Sequence, residues 1–262
     1  MEIHRIVFAE TTFFHTFAAK NRQKSVIMTL FIQLIAALLP AILLFLYIWK
    51  KDANPEPTRL LLKAVLWGAL IGIPCCFIEM FISAFISEDT TSIMGAAIDS
   101  FVVAALPEES CKLLVLWWIL RKNPYYDEHY DGIVYAVCVG LGFAGFENIF
   151  YIIDDDTWVE TALFRAFLAV PGHYAFAVLM GYYYSVYHFT DHSTSTKYKI
   201  LWVPVVAHGI YDTLCESASI DESMAAICML VLIFFCIRMH KFAKKRLVAM
   251  VEKDKAGDTT MV

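Results

Sequence analysis

Apolar stretches long enough to cross a bilayer recur through this chain, and they leave few folds open to it. A helix needs about 20 residues, at 1.5 Å each, to span the hydrocarbon. Runs of that kind fall at residues 26–49, 61–87, 93–120, 132–153, 159–189, 199–216 and 223–240. With no water in the bilayer core, the backbone must satisfy its hydrogen bonds within each segment. The expected fold is therefore all-α, a polytopic helical membrane protein of about seven transmembrane helices, or eight if an N-terminal interfacial helix is added. Composition agrees: 59% of the residues are hydrophobic and 18% charged, outside the soluble globular range. A net charge of −5 without a basic patch leaves no footprint for nucleic acid. Seven cysteines, an odd number lying mostly inside apolar runs, read as small packing residues.

The flanks and loops divide the chain. Residues 1–25 carry charges around short apolar patches and read as a tail or interfacial segment. Residues 26–246 form the membrane domain, and 247–262 a C-terminal cytoplasmic tail. Basic loops follow spans one, three, five and seven (Lys50, Lys51, Arg59, Lys63; Arg121, Lys122; Lys197, Lys199; Lys241, Lys244, Lys245, Arg246). The alternate loops are acidic or neutral, as at Glu88-Asp89 and Asp154-Asp155-Asp156. The positive-inside rule then puts the N-terminus outside and the C-terminus inside, with Lys20, Arg22 and Lys24 arguing the other way.

Ionisable residues interrupt four of the spans. Glu108, Glu109 and Lys112 lie in the third, with Lys112 one turn from either glutamate. Glu147 ends the fourth, with Tyr151 one turn on; His173 lies in the fifth, and His208 and Asp212 share a face of the sixth. Each has a plain structural reading: an ion pair locking two helices, a membrane-edge carboxylate, a hydrogen-bonded packing histidine. A charge at the bilayer centre costs about 2.5–3.5 kcal/mol on insertion scales, so bearing that cost four times over implies a use. Pro107 and Pro171 lie beside these residues, which suggests a hydrated cavity. Carboxylates and imidazoles together make a general base with N/O ligands, the equipment for activating water. Glu79 and Asp99 also fall inside spans, and Arg165 is read as snorkelling to the outer surface. Cys111 is a poor nucleophile beside two carboxylates, and Asp131 is expected to cap span four.

The motifs Glu-Glu-x-x-Lys (Glu108, Glu109, Lys112), Phe-Glu-x-x-x-Tyr (Phe146, Glu147, Tyr151) and His-x-x-x-Asp (His208, Asp212) occur in order. Pro55-Glu56-Pro57, the run Asp127–Tyr135 and the segment around His173 accompany them. In this the chain resembles the PrsW-type intramembrane proteases and, more distantly, the membrane proteases that process prenylated CaaX proteins. The resemblance runs from about Met28 to Arg246. It implies a multi-pass protease domain over 26–246 in a bacterial cytoplasmic membrane, cutting a membrane-anchored anti-sigma factor. It also implies that Glu108 and Glu109 supply the base, that Lys112 neutralises one of them, and that Asp212 orients His208 or is a ligand itself. Glu147, His173 and His208 would hold a metal ion, zinc by ligand type, or the oxyanion. Zinc is expected because four carboxylates face Lys112 alone, and metal-free catalysis by a glutamate is the rival. An ion-coupled transporter and an inactive scaffold are the other readings. The ionisable residues do not recur in two related halves, which counts against a transporter, and every motif residue is present, which counts against a scaffold.

Overall fold

The computed structural model describes residues 2–52, 54–86, 91–153, 155–220 and 222–256, with side chains from Val26 onward except Glu222. Among them are ten α-helices and two π-helical turns, with no strand. The helices are α1 (Glu2–Trp49), α2 (Thr58–Leu70), α3 (Gly72–Ser83), α4 (Ile93–Ile98), α5 (Leu106–Leu120), α6 (His129–Ile152), α7 (Trp158–Phe164), α8 (Val170–Phe189), α9 (Thr194–Ile220) and α10 (Glu222–Lys255). Five helical stretches, Val26–Trp49, Thr58–Ser83, His129–Ile152, Trp158–Phe189 and Ser223–Lys255, are long and apolar enough to cross a membrane. The two remaining expected spans correspond to Ile93–Leu120 and Thr194–Ile220. These carry Asp99, Glu108, Glu109 and Lys112 in one case and His208 and Asp212 in the other. Those polar residues lower their apolarity without shortening them.

The long proline-containing spans are continuous helices with a widened turn. Proline lacks an N–H and crowds the carbonyl four residues back, and a π-turn relieves both. Residues Asp99–Ala105 form one such turn ahead of Pro107, and Arg165–Ala169 form the other ahead of Pro171. The Leu106 N–H accordingly donates to the Phe101 carbonyl, and the Val170 N–H to the Arg165 carbonyl.

Helix α6 is the axis of the bundle, with α1, α2, α8, α5 and α10 packed around it. In lipid, helices associate through close backbone approach at small residues. Gly68 of α2 meets the backbone of Val139, Gly142 meets that of Val65, and Gly181 of α8 meets that of Gly132. A Cβ at any of them would overlap main-chain atoms. Outward-facing Phe31, Phe77, Phe81, Leu230 and Phe234 are exposed, as lipid-facing side chains should be.

Polar ties fix the ends. The start of α6 is a capping box in which Glu128 is the N-cap, and Asp131 reaches back to accept from the Glu128 N–H at 2.7 Å. The loop bearing Pro55-Glu56-Pro57 docks on this end through Asn54 Nδ2, which donates to Glu128 at 2.5 Å, and through the Tyr135 hydroxyl, which donates to Glu56. Burial pushes the Glu56 carboxyl up to about 7. The stretch from 247, expected to be a tail, continues α10 to Lys255 with Leu247 and Met250 buried. Its Asp254 accepts from the His129 and Tyr130 N–H groups at 2.9 and 2.8 Å. The 1–25 segment is likewise helical from Glu2, continuous with the first span.

Candidate active site

Both π-turns deliver an active-site segment. One turn leads through Pro107 into Glu108 and Glu109, the other through Pro171 into His173. Helix α9 brings His208 and Asp212, and the end of α6 brings Glu147. The side chains singled out in the sequence join in one network.

Lys112 lies at its middle. Its ammonium donates to Glu108 Oε2 at 2.9 Å and to Glu109 Oε1 at 2.8 Å, and is 3.1 Å from His173 Nδ1. The Phe143 ring lies beneath it, 4.2 Å from Nζ to the centroid. Beyond Glu109, Oε1 is 3.0 Å from His208 Nδ1, whose Nε2 is 3.0 Å from Asp212 Oδ2. The Phe176 ring stacks on His208 at 4.7 Å and 21°. On the other side His173 Nε2 is 2.8 Å from Glu147 Oε2. Since Lys112 can only donate, His173 Nδ1 accepts and Nε2 carries the hydrogen given to Glu147. Glu108, Glu109, Lys112, His173 and His208 are all buried, Glu109 completely.

Arg165 differs from its expected place. It is buried rather than snorkelling outward, with Nε donating to Asn148 Oδ1 at 2.5 Å. Its Nη2 lies 2.8 Å from Glu147 Oε2, an ion pair by distance without hydrogen-bond alignment. Asn148 in turn donates to the Ala37 carbonyl of α1 at 3.0 Å. Arg165 and Asn148 are thus the site residues the sequence reading missed. The available signals were an amide beside Glu147 and an arginine six residues before Pro171. Tyr151 meets the site through its ring, which lies 4.0 Å from the Arg165 guanidinium. Cys111 sits in an apolar cluster with Cys75 and Phe143, and Glu79 accepts from the Cys75 thiol.

A cavity of about 520 Å³ opens over this network. Glu108, Glu147, Arg165, His173, His208 and Asp212 line it, and Asp99, Glu160 and Glu216 extend the lining. Glu109 is not on the cavity wall. The two adjacent glutamates are therefore inequivalent: Glu108 meets the open space, and Glu109 ties Lys112 to His208 behind it.

The residues can be tested against a divalent cation. Glu108, Glu109, His173 and His208 each offer one donor atom, all within 4.8 Å of one another. Glu109 Oε2 is buried without a hydrogen-bond partner, a lone-pair site left over by the network. Two imidazoles with carboxylates are a zinc-type donor set, so the residues fit the ion. Glu147 lies outside this group, and its Oε2 is held by His173 Nε2 and Arg165 instead. Arg165 joins Lys112 as a buried cation, and His208, with a carboxylate at each ring nitrogen, adds a third, so the four carboxylates do not face Lys112 alone.

The sequence model of a family described as PrsW family intramembrane metalloprotease matches residues 56–238. A protein named Protease PrsW from Oceanobacillus iheyensis is 35% identical over 70% of this chain and 83% of its own length. Proteins of the same name from Geobacillus kaustophilus (34%, 80% of this chain, 91% of theirs) and Clostridioides difficile (31%, 79% and 89%) are also similar. No solved structure matches the chain.

Proposed function

The chain belongs to the PrsW family of intramembrane metalloproteases, and from that premise we propose that it hydrolyses a peptide bond of a membrane-anchored protein with Glu108 as general base. The observation that carries this reading is the difference between the tandem glutamates, one on the cavity wall and one sealed behind it. A base must reach the water it deprotonates, directly or through one further water. Glu108 meets that condition and Glu109 does not.

The remaining side chains prepare the site. Glu109 and Asp212 hold the His208 ring from its two nitrogens, and Glu147 holds His173 by Nε2. Arg165, on the cavity wall with Nη2 free of hydrogen-bond partners, opposes the negative charge that grows on the attacked carbonyl oxygen. Glu108 takes the proton from water and returns it to the departing amine. Where a zinc ion is bound, Glu108, Glu109, His173 and His208 would hold it by one atom each, leaving the second Glu108 oxygen to act as base, and it would supply Lewis-acid polarisation and a more acidic water.

The substrate we propose is a single-span anti-sigma factor in a bacterial cytoplasmic membrane. The cavity supports entry from the outer face. Its lining residues Asp99, Glu160 and Glu216 lie toward the acidic loops that the charge rule places outside. The test is cleavage of such a substrate by purified enzyme. Glu108→Gln is nearly isosteric and should lower the rate by about 10²–10⁴-fold with folding intact, the usual scale for losing a general base. Cleavage by Glu108→Gln at the wild-type rate overturns the assignment.

A further inference from the structure

The four candidate metal donors face a positive charge that the chain itself supplies. We propose that the Lys112 ammonium occupies the cation position of this donor group, so that a divalent metal ion enters only by displacing it. Three of the four donor residues already touch Nζ: Glu108 at 2.9 Å, Glu109 at 2.8 Å and His173 Nδ1 at 3.1 Å. An ammonium has three hydrogens to give, and these three acceptors use them all. The fourth residue, His208, is bound to the same Glu109 oxygen at 3.0 Å.

Zinc draws nitrogen and carboxylate donors to about 2.0–2.2 Å. Donor atoms in a tetrahedron of that size lie about 3.3–3.6 Å apart, so the group found here, gathered within 4.8 Å, would draw in by about 1 Å around an ion. Three of these four residues already converge on Nζ. Lys112 is 3% exposed, its stem is packed, and the Phe143 ring faces its charge at 4.2 Å. The ammonium is therefore a built occupant, not a side chain passing by. An ion and the ammonium cannot share these donors. The His173 Nδ1 lone pair serves one or the other, and two cations at that separation repel. Among the buried oxygens of these four residues Glu109 Oε2 alone lacks a partner, and one oxygen does not hold an ion against a neighbouring charge.

In this arrangement Lys112 sets the metal affinity of the site. The lysine keeps the glutamates paired when no ion is present and weakens binding when one is. This rests on the hydrolytic reading only for its donor set, and its readout is metal binding rather than cleavage.

The experiment is a titration of purified wild type and Lys112→Met with cobalt(II), read by visible absorption, and with zinc, read by calorimetry. Methionine keeps a straight apolar stem and removes the charge. Lys112→Met should bind about 10–100-fold tighter than wild type, the scale on which groups contacting metal ligands change affinity. Adding Glu109→Gln to that variant should remove the gain. Equal or weaker binding by Lys112→Met, or no binding by either protein, overturns the proposal. Should the variant not be monodisperse, zinc-soaked crystals of wild type decide by anomalous scattering. An ion on these donors with Lys112 swung away supports the exchange, and an ion beside an unmoved Nζ, or no ion on these donors, overturns it. Tight metal binding by Lys112→Met in a protein whose wild type cleaves nothing would sink the protease reading and leave this one standing. A cleaving wild type whose affinity ignores Lys112 would do the reverse.

Discussion

A guanidinium buried among helices must be paired, and Arg165 takes its partners from consecutive residues of α6, Glu147 and Asn148. Removing one member of a buried pair costs about 3–5 kcal/mol, because the other charge is left uncompensated. Glu147 keeps His173 and some cavity exposure, so Arg165→Met should fall at or below the lower end of that range. The check is a four-variant cycle of Arg165→Met with Glu147→Gln, followed by unfolding in detergent. The double variant should be more stable than the two single effects added together, with a coupling of about 0.5–3 kcal/mol. Additive losses would mean that the pair is incidental. The same residue shows what the sequence could not convey. Glu108, Glu109, Lys112, Glu147, His173, His208 and Asp212 were legible because each is ionisable within an apolar run. Arg165 was legible as a charge but not in direction: hydropathy gives depth in the membrane, and the side of the helix depends on its packing. Asn148 was legible as a polar amide beside Glu147 but not in its partners, and only the structure shows it bridging Arg165 to Ala37 of α1.

At the level of elements, the prolines and the glycines have opposite jobs. Pro107 and Pro171 each follow a π-turn and lead into a segment of the candidate site. Gly68 and Gly142 let α2 and α6 touch by their backbones. Overpacking a close-packed interface costs about 1–3 kcal/mol. Gly142→Ala, whose new methyl would meet the Val65 main chain, should fall in that range. Its thermal midpoint in detergent should drop, whereas Ala104→Gly, on the cavity lining, should move it much less. An unchanged midpoint for Gly142→Ala would show that the two helices can part without loss. Pro107 and Pro171 were legible because ionisable residues lie beside them, whereas Pro40 and Pro204 sit inside α1 and α9 without a widened turn. The helix-to-helix glycine contacts were not, since a glycine in an apolar run gives no sign of which backbone approaches it. The reach of α10 to Lys255 was hidden for a third reason. Its last turns are charged and amphipathic, and Asp254 finds its role only against the start of α6.

For the whole molecule, the polar network, the cavity and the loop charges impose one direction. Lys122 follows the third span on the basic side, and Asp156 lies in the acidic loop beside α7. The cavity lining runs toward that loop through Glu160 and Thr161. Basic juxtamembrane loops stay cytoplasmic, so the active site should be reached from the opposite face. Lys20, Arg22 and Lys24 would favour the reverse orientation, but they precede one span only, while the basic loops after spans one, three, five and seven agree with each other. Asp156 and Lys122 are both exposed, so each can be changed to cysteine without entering the core. The native thiols of Cys75, Cys111, Cys138, Cys228 and Cys236 are buried and should react little. In intact cells, a membrane-impermeant maleimide should label Asp156→Cys well above the parent chain and leave Lys122→Cys at the parent's level until the membrane is opened. Labelling in the reverse order would invert the molecule, place the cavity mouth on the cytoplasmic side, and remove cleavage at the outer face.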